Sequence, residues 1–187
     1  MEEKIITIVK KLKKAFNNFN QDRIITDLEA SIEKFGIIVR YSGLEDEVSG
    51  YSYVNDAGHP VIVVNGNHPK NRRRFTMAHE LGHAILHWKW LNKEGQKLDK
   101  HLGEILYRSN SHNYINSKRE RQANMFAAEL LAPLDDVKEM LDGDKYRDLN
   151  MAKKLELEKS VSEKYIVSQI TARIQLEKTD RLLTETE

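Results

Sequence analysis

The 187-residue chain contains no cysteine. Disulfide bridges are excluded, and any metal site must be built from histidine and carboxylate donors. No apolar run approaches the ~20 residues that a membrane-spanning helix needs. The opening Met1-Glu2-Glu3-Lys4-Ile5-Ile6 is too acidic, and its apolar run too broken, for a signal peptide. Charge of one sign is missing as well: 30 Lys and Arg stand against 29 Asp and Glu, giving a net charge of +1. With both signs interspersed, bulk charge argues neither for nor against a nucleic-acid partner. There is no internal repeat and no low-complexity segment. What remains is 40% hydrophobic and 32% charged. That composition suits one compact domain with a small helical appendage. The default reading is cytoplasmic, with no membrane partner.

One stretch stands out, Phe75-Thr76-Met77-Ala78-His79-Glu80-Leu81-Gly82-His83-Ala84-Ile85-Leu86-His87-Trp88. It contains His-Glu-x-x-His in a segment that reads as helix. Histidines four apart lie one above the other on a helical face, so His79 and His83 can reach one ion, with Glu80 beside them. Zinc accepts two imidazoles and one carboxylate and leaves a fourth position to water. In the zincin arrangement the motif glutamate, here Glu80, acts as general base. Such a site can also take manganese or iron. The competing reading is an amphipathic helix with two half-buried histidines. Phe75, Ala78, Leu81, Gly82, Ile85 and Leu86 weigh against it, because this small, apolar surround lets the helix sit deep and keeps an ion dry. His87, one turn beyond His83, either lines the cleft or is an ordinary surface or core histidine.

The flanking chain supplies a scaffold. Ile5, Ile8, Val9, Leu12 and Phe16 recur at helical spacing, as do Ile25, Leu28, Ile32 and Phe35, with Gly36 as a C-cap. Three strands follow, 37–41, 50–54 and 60–65, with Asp56-Ala57-Gly58-His59 turning the last two. They are expected to form a small antiparallel sheet leading into the motif helix. Strand 51–54 is the candidate edge for adding an extended peptide. Arg72-Arg73-Arg74 reads as a solvated first turn holding nearby carboxylates rather than as a nucleic-acid patch. Residues 92–116 form a polar region with one short helix around Leu98, Leu102, Ile105 and Leu106. A helix follows from Ser117 to about Pro133, with Ser117 and Glu120 spaced as a capping box.

Spacing narrows the third ligand. The longer metzincin pattern requires glycine at 86 and histidine at 89, where this chain has Leu86 and Lys89. Glu94 is too close along the chain unless the motif helix ends early, Glu104 has no supporting acceptor one turn on, and Glu129 lies beyond a better option. That option is Glu120: Asn124 shares its face and can orient a ligand histidine. Small Ala123, Ala127 and Ala128 would let the two helices approach closely. The alternative is that Glu120 only caps its helix.

Arg74-Phe75-Thr76-x-Ala78-His79-Glu80-Leu81-Gly82-His83, followed by Glu120-x-x-Ala123-Asn124-x-Phe126-Ala127-Ala128-x-Leu130-Leu131-x-Pro133, resembles the ImmA/IrrE family of metallopeptidases. The likeness covers about residues 22–140 and includes the Gly36-Ile37-Ile38-Val39 and Val61-Ile62-Val63-Val64-Asn65 strands. It implies His79, His83 and Glu120 as zinc ligands, Glu80 as general base and Asn124 as a support to a ligand. It also implies a protein substrate, a Cro/cI-type helix-turn-helix repressor whose cleavage derepresses mobile-element or stress-response genes. The spacing between His83 and Glu120 is longer than usual for the family, and Ala132 replaces its familiar methionine. A donor to the oxyanion of the cleaved amide is expected from Tyr51, Tyr53, Tyr107, His112 or Tyr114, among which the sequence does not choose.

Residues 149–170 resemble a helix-turn-helix, with Ser162 as the N-cap of its second helix. As a DNA reader it is poor in cations, with only Lys164 and Arg173. The expected fold is α+β and zincin-like. A metallopeptidase domain, 1–135, carries the sheet, the His-Glu-x-x-His helix and the Glu-bearing helix; a helical extension occupies 136–187. The expected function is a metalloendopeptidase with a gluzincin-like third ligand. The rivals are a non-catalytic antirepressor and a DNA-binding regulator with a structural or sensory metal site.

Overall fold

A computed structural model describes residues 2–102 and 114–184. The described residues form seven α-helices and one three-stranded sheet. Helix α1 (Glu2–Ala15) buries Ile5, Val9 and Leu12. A 3₁₀ turn, Asn17–Phe19, leads to α2 (Gln21–Lys34), capped by the Asn20 side chain, which accepts from the Arg23 N–H. Helix α2 ends as its sequence requires. Gly36 sits at φ +78°, the Gly36 N–H reaches the Glu33 carbonyl and the Ile37 N–H reaches the Ile32 carbonyl. This is the paired C-terminal bonding pattern that a left-handed glycine makes possible.

Strands β1 (Ile38–Ser42), β2 (Gly50–Val54) and β3 (Pro60–Asn65) follow. The sheet is mixed, a correction to the antiparallel expectation. Its order is β1-β3-β2, with β1 parallel to β3 and β2 antiparallel to it. The reason lies in burial. All six residues of β3 are buried, whereas β1 and β2 are largely half-buried or exposed, so the continuous apolar strand takes the centre. The 55–59 turn behaves as expected: Asn55 and His59 close it through a 3.0 Å backbone bond, and the Asn55 carboxamide accepts from Ala57 and His59 N–H groups. Strand β2 lies at an edge of the sheet, as anticipated for 51–54.

The loop before β2 is pinned from inside. Buried Asn65 donates to the carbonyls of Leu44, Glu45 and Val48, and buried His68 bonds the Asp46 carbonyl at 3.0 Å. These bonds fix where β2 begins, and therefore where its side chains meet the next helix.

Helix α3 (Lys70–Leu86) carries the motif, and α4 (Tyr114–Leu131) packs across it. Their crossing is close at Gly82, where an added Cβ would lie 3.3 Å from the Ala123 Cα and 3.1 Å from the Phe126 ring. Three arginines on the first turns of α3 point three ways, so the expectation of a solvated basic turn is corrected. Arg72 bonds the Ser49 hydroxyl at 2.9 Å, and Arg73 lies over the Tyr41 ring at 5.6 Å. Arg74 is buried and donates to the Ile25 carbonyl at 3.3 Å, two residues before the non-helical Asp27 interrupts α2.

Helices α5 (Leu134–Glu139), α6 (Met151–Tyr165) and α7 (Gln169–Thr184) complete the chain. The turn expected before Ser162 is displaced. Helix α6 runs unbroken through Ser162 and stops at Ile166, whose φ of 53° is left-handed. Ser168 takes the capping role instead, its hydroxyl accepting from the Thr171 N–H. Val161, Tyr165, Val167, Ala172 and Leu176 belong to the same apolar cluster as Ile5, Val9, Ile62 and Leu81. The division proposed at 135/136 is thus bridged by shared core. Each such fully buried aliphatic side chain contributes about 1.5–3 kcal/mol.

Candidate metal centre

Helical periodicity builds the site. On α3, Arg72, Thr76, His79, Glu80 and His83 line one cleft, joined by Ser49–Ser52 from the edge of the sheet and by Glu120 and Asn124 from α4. The cleft encloses about 380 Å³ and is open to the surface. His79 and His83 converge, Nε2 to Nε2, at 3.0 Å. Glu120 reaches both, with one carboxylate oxygen 3.1 Å from His79 Nε2 and the other 3.2 Å from His83 Nε2. His83 is almost fully buried while the Glu120 side chain is 50% exposed, so the cluster opens on the side of α4.

The outward-facing ring nitrogens are held as well. His79 Nδ1 meets Asn124 Oδ1 at 2.9 Å. His83 Nδ1 meets His87 Nδ1 at 3.0 Å, and His87 Nε2 meets Gln122 Oε1 at 3.2 Å. Glu80 lies beside the cluster, buried, and accepts a 2.5 Å hydrogen bond from the Ser52 hydroxyl of β2.

Electrostatics follow from this packing without a cation. The His79 and His83 imidazoles hold the Glu120 carboxyl well below the ordinary carboxylate range. Burial pulls His79 down, but Glu120, Glu80 and Asn124 outweigh it and leave the ring above its usual value. Burial lowers His87 to about 4, with Gln122 opposing only in part.

The donor set fits a divalent cation. Two imidazole nitrogens and a carboxylate face one point, and the remaining ring nitrogens are engaged away from it. Tetrahedral ligands at about 2.1 Å from an ion lie about 3.4 Å apart, close to the separations found here. Helix α4 also disposes of the capping alternative: Glu120 is six residues past Tyr114 and inside the helix. Glu129 is buried elsewhere and accepts from the Leu134 N–H, so it is not part of the cluster.

The oxyanion candidates separate. Tyr51 lines the cleft, and Tyr53 does not. Tyr107 and His112 lie outside the described residues, as do Glu104, Ile105 and Leu106, and only the backbone of Tyr114 is described. Ser52 and Gln122 escaped the sequence reading altogether. Period-two alternation from Gly50 places Ser52 on the helix-facing side of β2, a signal available but silent without knowing what the strand faces. Gln122 has no motif.

A His-Glu-x-x-His helix, a carboxylate delivered by a second helix and a sheet edge beside them define the zincin-like class of metal-binding folds. The comparison with known sequences goes further. Residues 32–176 match the family profile described as the IrrE N-terminal-like domain, so the chain belongs to the ImmA/IrrE family of metallopeptidases. Over 92 residues it is 34% identical to the radiation response metalloprotease IrrE of Deinococcus radiodurans. That match covers 46% of this chain and 24% of the relative, so it spans about a quarter of that protein's length. Among the described residues, no helix is long and apolar enough to cross a membrane.

Proposed function

We propose that this chain is a metal-dependent endopeptidase, with His79, His83 and Glu120 as the ligands of a zinc ion and Glu80 as the general base. The carrying observation is that a buried carboxylate, fixed by Ser52, stands next to three convergent donor groups in one open cleft. Zinc, when bound, supplies Lewis acidity to the water and to the scissile carbonyl. Glu80 takes a proton from the attacking water and passes it to the departing amine. Ser52 keeps Glu80 in one orientation through that transfer. Asn124 holds His79 so that its Nε2 lone pair faces the cleft. Manganese or iron would be held by the same donors.

The edge of β2 runs along the cleft, and a substrate in extended conformation would pair with it, its scissile bond beside Glu80. Tyr51 is the described candidate to donate to the developing oxyanion. The substrate we assign is a Cro/cI-type helix-turn-helix repressor in the cytoplasm, on the strength of the family resemblance; the relative is itself called a radiation response metalloprotease. Direct DNA reading by the C-terminal helices is the weaker alternative, because Arg173 is held bidentately by Glu158 at 2.9 and 3.0 Å.

The test is Glu80→Gln. Zinc-loaded wild type is expected to cut a Cro/cI-type repressor from the same source at one bond, read by intact-mass spectrometry. The variant is expected to bind zinc as wild type does and to cut about 10²–10⁴-fold more slowly. Equal cutting would remove Glu80 from its role. An antirepressor that only binds would keep its biological effect in the variant.

A further inference from the structure

His87 and Gln122 carry no step of the proposed reaction, yet they stand in line behind a proposed ligand. His87 closes the last turn of α3, its N–H bonded to the His83 carbonyl at 2.9 Å, so its ring is fixed relative to the His83 ring. The ring nitrogens Nδ1 of the two residues are 3.0 Å apart, and His87 Nε2 is 3.2 Å from Gln122 Oε1.

Proton accounting gives this line a direction. An amide oxygen only accepts, so His87 Nε2 must carry the hydrogen that meets Gln122. A neutral imidazole has one N–H, which leaves His87 Nδ1 as an acceptor. A 3.0 Å contact between two ring nitrogens needs a cation between them, either a proton or a metal ion. If a metal ion serves the His79 and His83 Nε2 atoms, also 3.0 Å apart, His83 Nδ1 is the source of the proton shared with His87. With its proton at Nδ1, His83 has an Nε2 lone pair to offer that ion beside Glu120 and His79. Asn124 Oδ1 does the same for His79 in one step. Turning the Gln122 amide around would reverse every bond in the line and put the His83 proton on Nε2, where a cation must bind.

We propose that Gln122 and His87 form a relay that fixes His83 in the tautomer whose Nε2 is free for a metal ion. They are positioning residues that touch neither metal nor substrate. The inference rests on the proposed metal-dependent reading and assigns the half of the ligand support that Asn124 does not provide.

The test measures zinc affinity of the full chain by competition with a chromophoric chelator, for wild type, Gln122→Glu, Gln122→Met and His87→Phe. Glutamate keeps an acceptor-only oxygen at the end of the line and should bind zinc at least as tightly as wild type. Methionine has nearly the same length without a strong acceptor, and it should weaken binding about 10–100-fold, as should His87→Phe. Nitrogen-15 NMR of the zinc-loaded wild type should find the proton on Nδ1 of His83 and on Nε2 of His87. Thermal unfolding of the metal-free variants identifies any that fail to fold; the NMR tautomers test the relay without them. Equal affinity in the glutamate and methionine variants, or a His87 protonated at Nδ1, would overturn the relay. A wild type that takes up no zinc would overturn the metal reading and the relay together. Tight wild-type binding with indifferent variants would remove the relay alone.

Discussion

At the scale of single residues, the buried polar groups divide into those that serve the cleft and those that burden the fold. Glu129 belongs to the second kind. It is 3% exposed, its carboxylate accepts from the Leu134 N–H at 3.3 Å, and burial raises its pKa to about 7 despite nearby Lys13. A carboxyl whose folded value exceeds its unfolded value of about 4.5 binds its proton more tightly in the native state. Its stabilising protonation is fully present below about pH 4.5 and is lost as pH rises toward 7. Glu129→Gln lacks that titration. The stability of the variant minus that of wild type should therefore rise between about pH 4.5 and 7, by up to about 3 kcal/mol, and be flat outside this window up to the titration of Lys13. Urea unfolding of both proteins across that range reads the slope directly; a level or falling difference would show that Glu129 is not desolvated as described. Legibility at this scale was uneven. His79, Glu80 and His83 announce themselves through helical spacing, whereas for Glu120 and Asn124 spacing left a capping role open and the family resemblance pointed to the site. Ser52 and Gln122 do not announce themselves, because their partners come from elements 28 and 35 residues away. His87 fell between, since its i+4 spacing from His83 was visible but its tautomer partner was not.

At the scale of elements, two helices have to approach before the site exists. Gly82 faces Ala123 and Phe126 at the crossing, and the same two helices carry His79, His83 and Glu120. A methyl group at 82 would sit 3.1–3.3 Å from its neighbours, tight enough that the helices must give slightly. Valine adds two further carbons and cannot be absorbed. Gly82→Val is expected to cost about 1–3 kcal/mol of stability. It should also weaken zinc binding, because spreading the helices moves Glu120 away from the imidazoles. Gly82→Ala should show the smaller form of both effects. Chemical unfolding and chelator competition measure them separately, and valine without effect on either would mean that the crossing is loose. The small residues at 82, 123, 127 and 128 made this approach readable beforehand. Sheet order was harder to read. The chain order of the strands suggested successive hairpins, but the strand with no polar alternation, 60–64, had to be covered on both flanks and both faces. That apolar run carried the information; only the turn after β2, which is a true hairpin, followed chain order. The C-terminal helix boundary moved for a related reason: Lys153–Glu163 is good helix-forming sequence, and its tertiary partners let it continue past Ser162.

For the whole molecule, the question is whether the last fifty residues are an appendage or a wall. Several contacts argue for a wall. Gln175 donates to the Ala132 carbonyl at 2.7 Å, immediately after α4 ends, and Lys178 pairs with Glu2 at 2.9 Å across to α1. Tyr146 and Arg147 N–H groups bind the Asp180 carboxylate, and the buried Glu158 joins Tyr146 to Arg173. Leu134, Val137, Val161, Tyr165 and Leu176 are all buried. Cutting after 135 would remove α7 and most of α5, which pack on each other, and leave the Ala132 carbonyl without its partner, while α1 would lose its Glu2–Lys178 pair with α7. Since α4 presents Glu120 and Asn124, loosening its C-terminal end should reach the cluster through the helix. The family profile likewise runs to residue 176, beyond the proposed boundary. We expect residues 1–135 alone to unfold at markedly lower temperature than the full chain, without one sharp transition, and to bind zinc more weakly. The full chain should unfold in one transition, with far-ultraviolet and near-ultraviolet circular dichroism changing together. A truncated protein that melts cooperatively and binds zinc as tightly as the parent would make 136–187 an independent unit after all, and its exposed Met151, Leu155, Ile170 and Ile174 would then belong to that unit's own contacts.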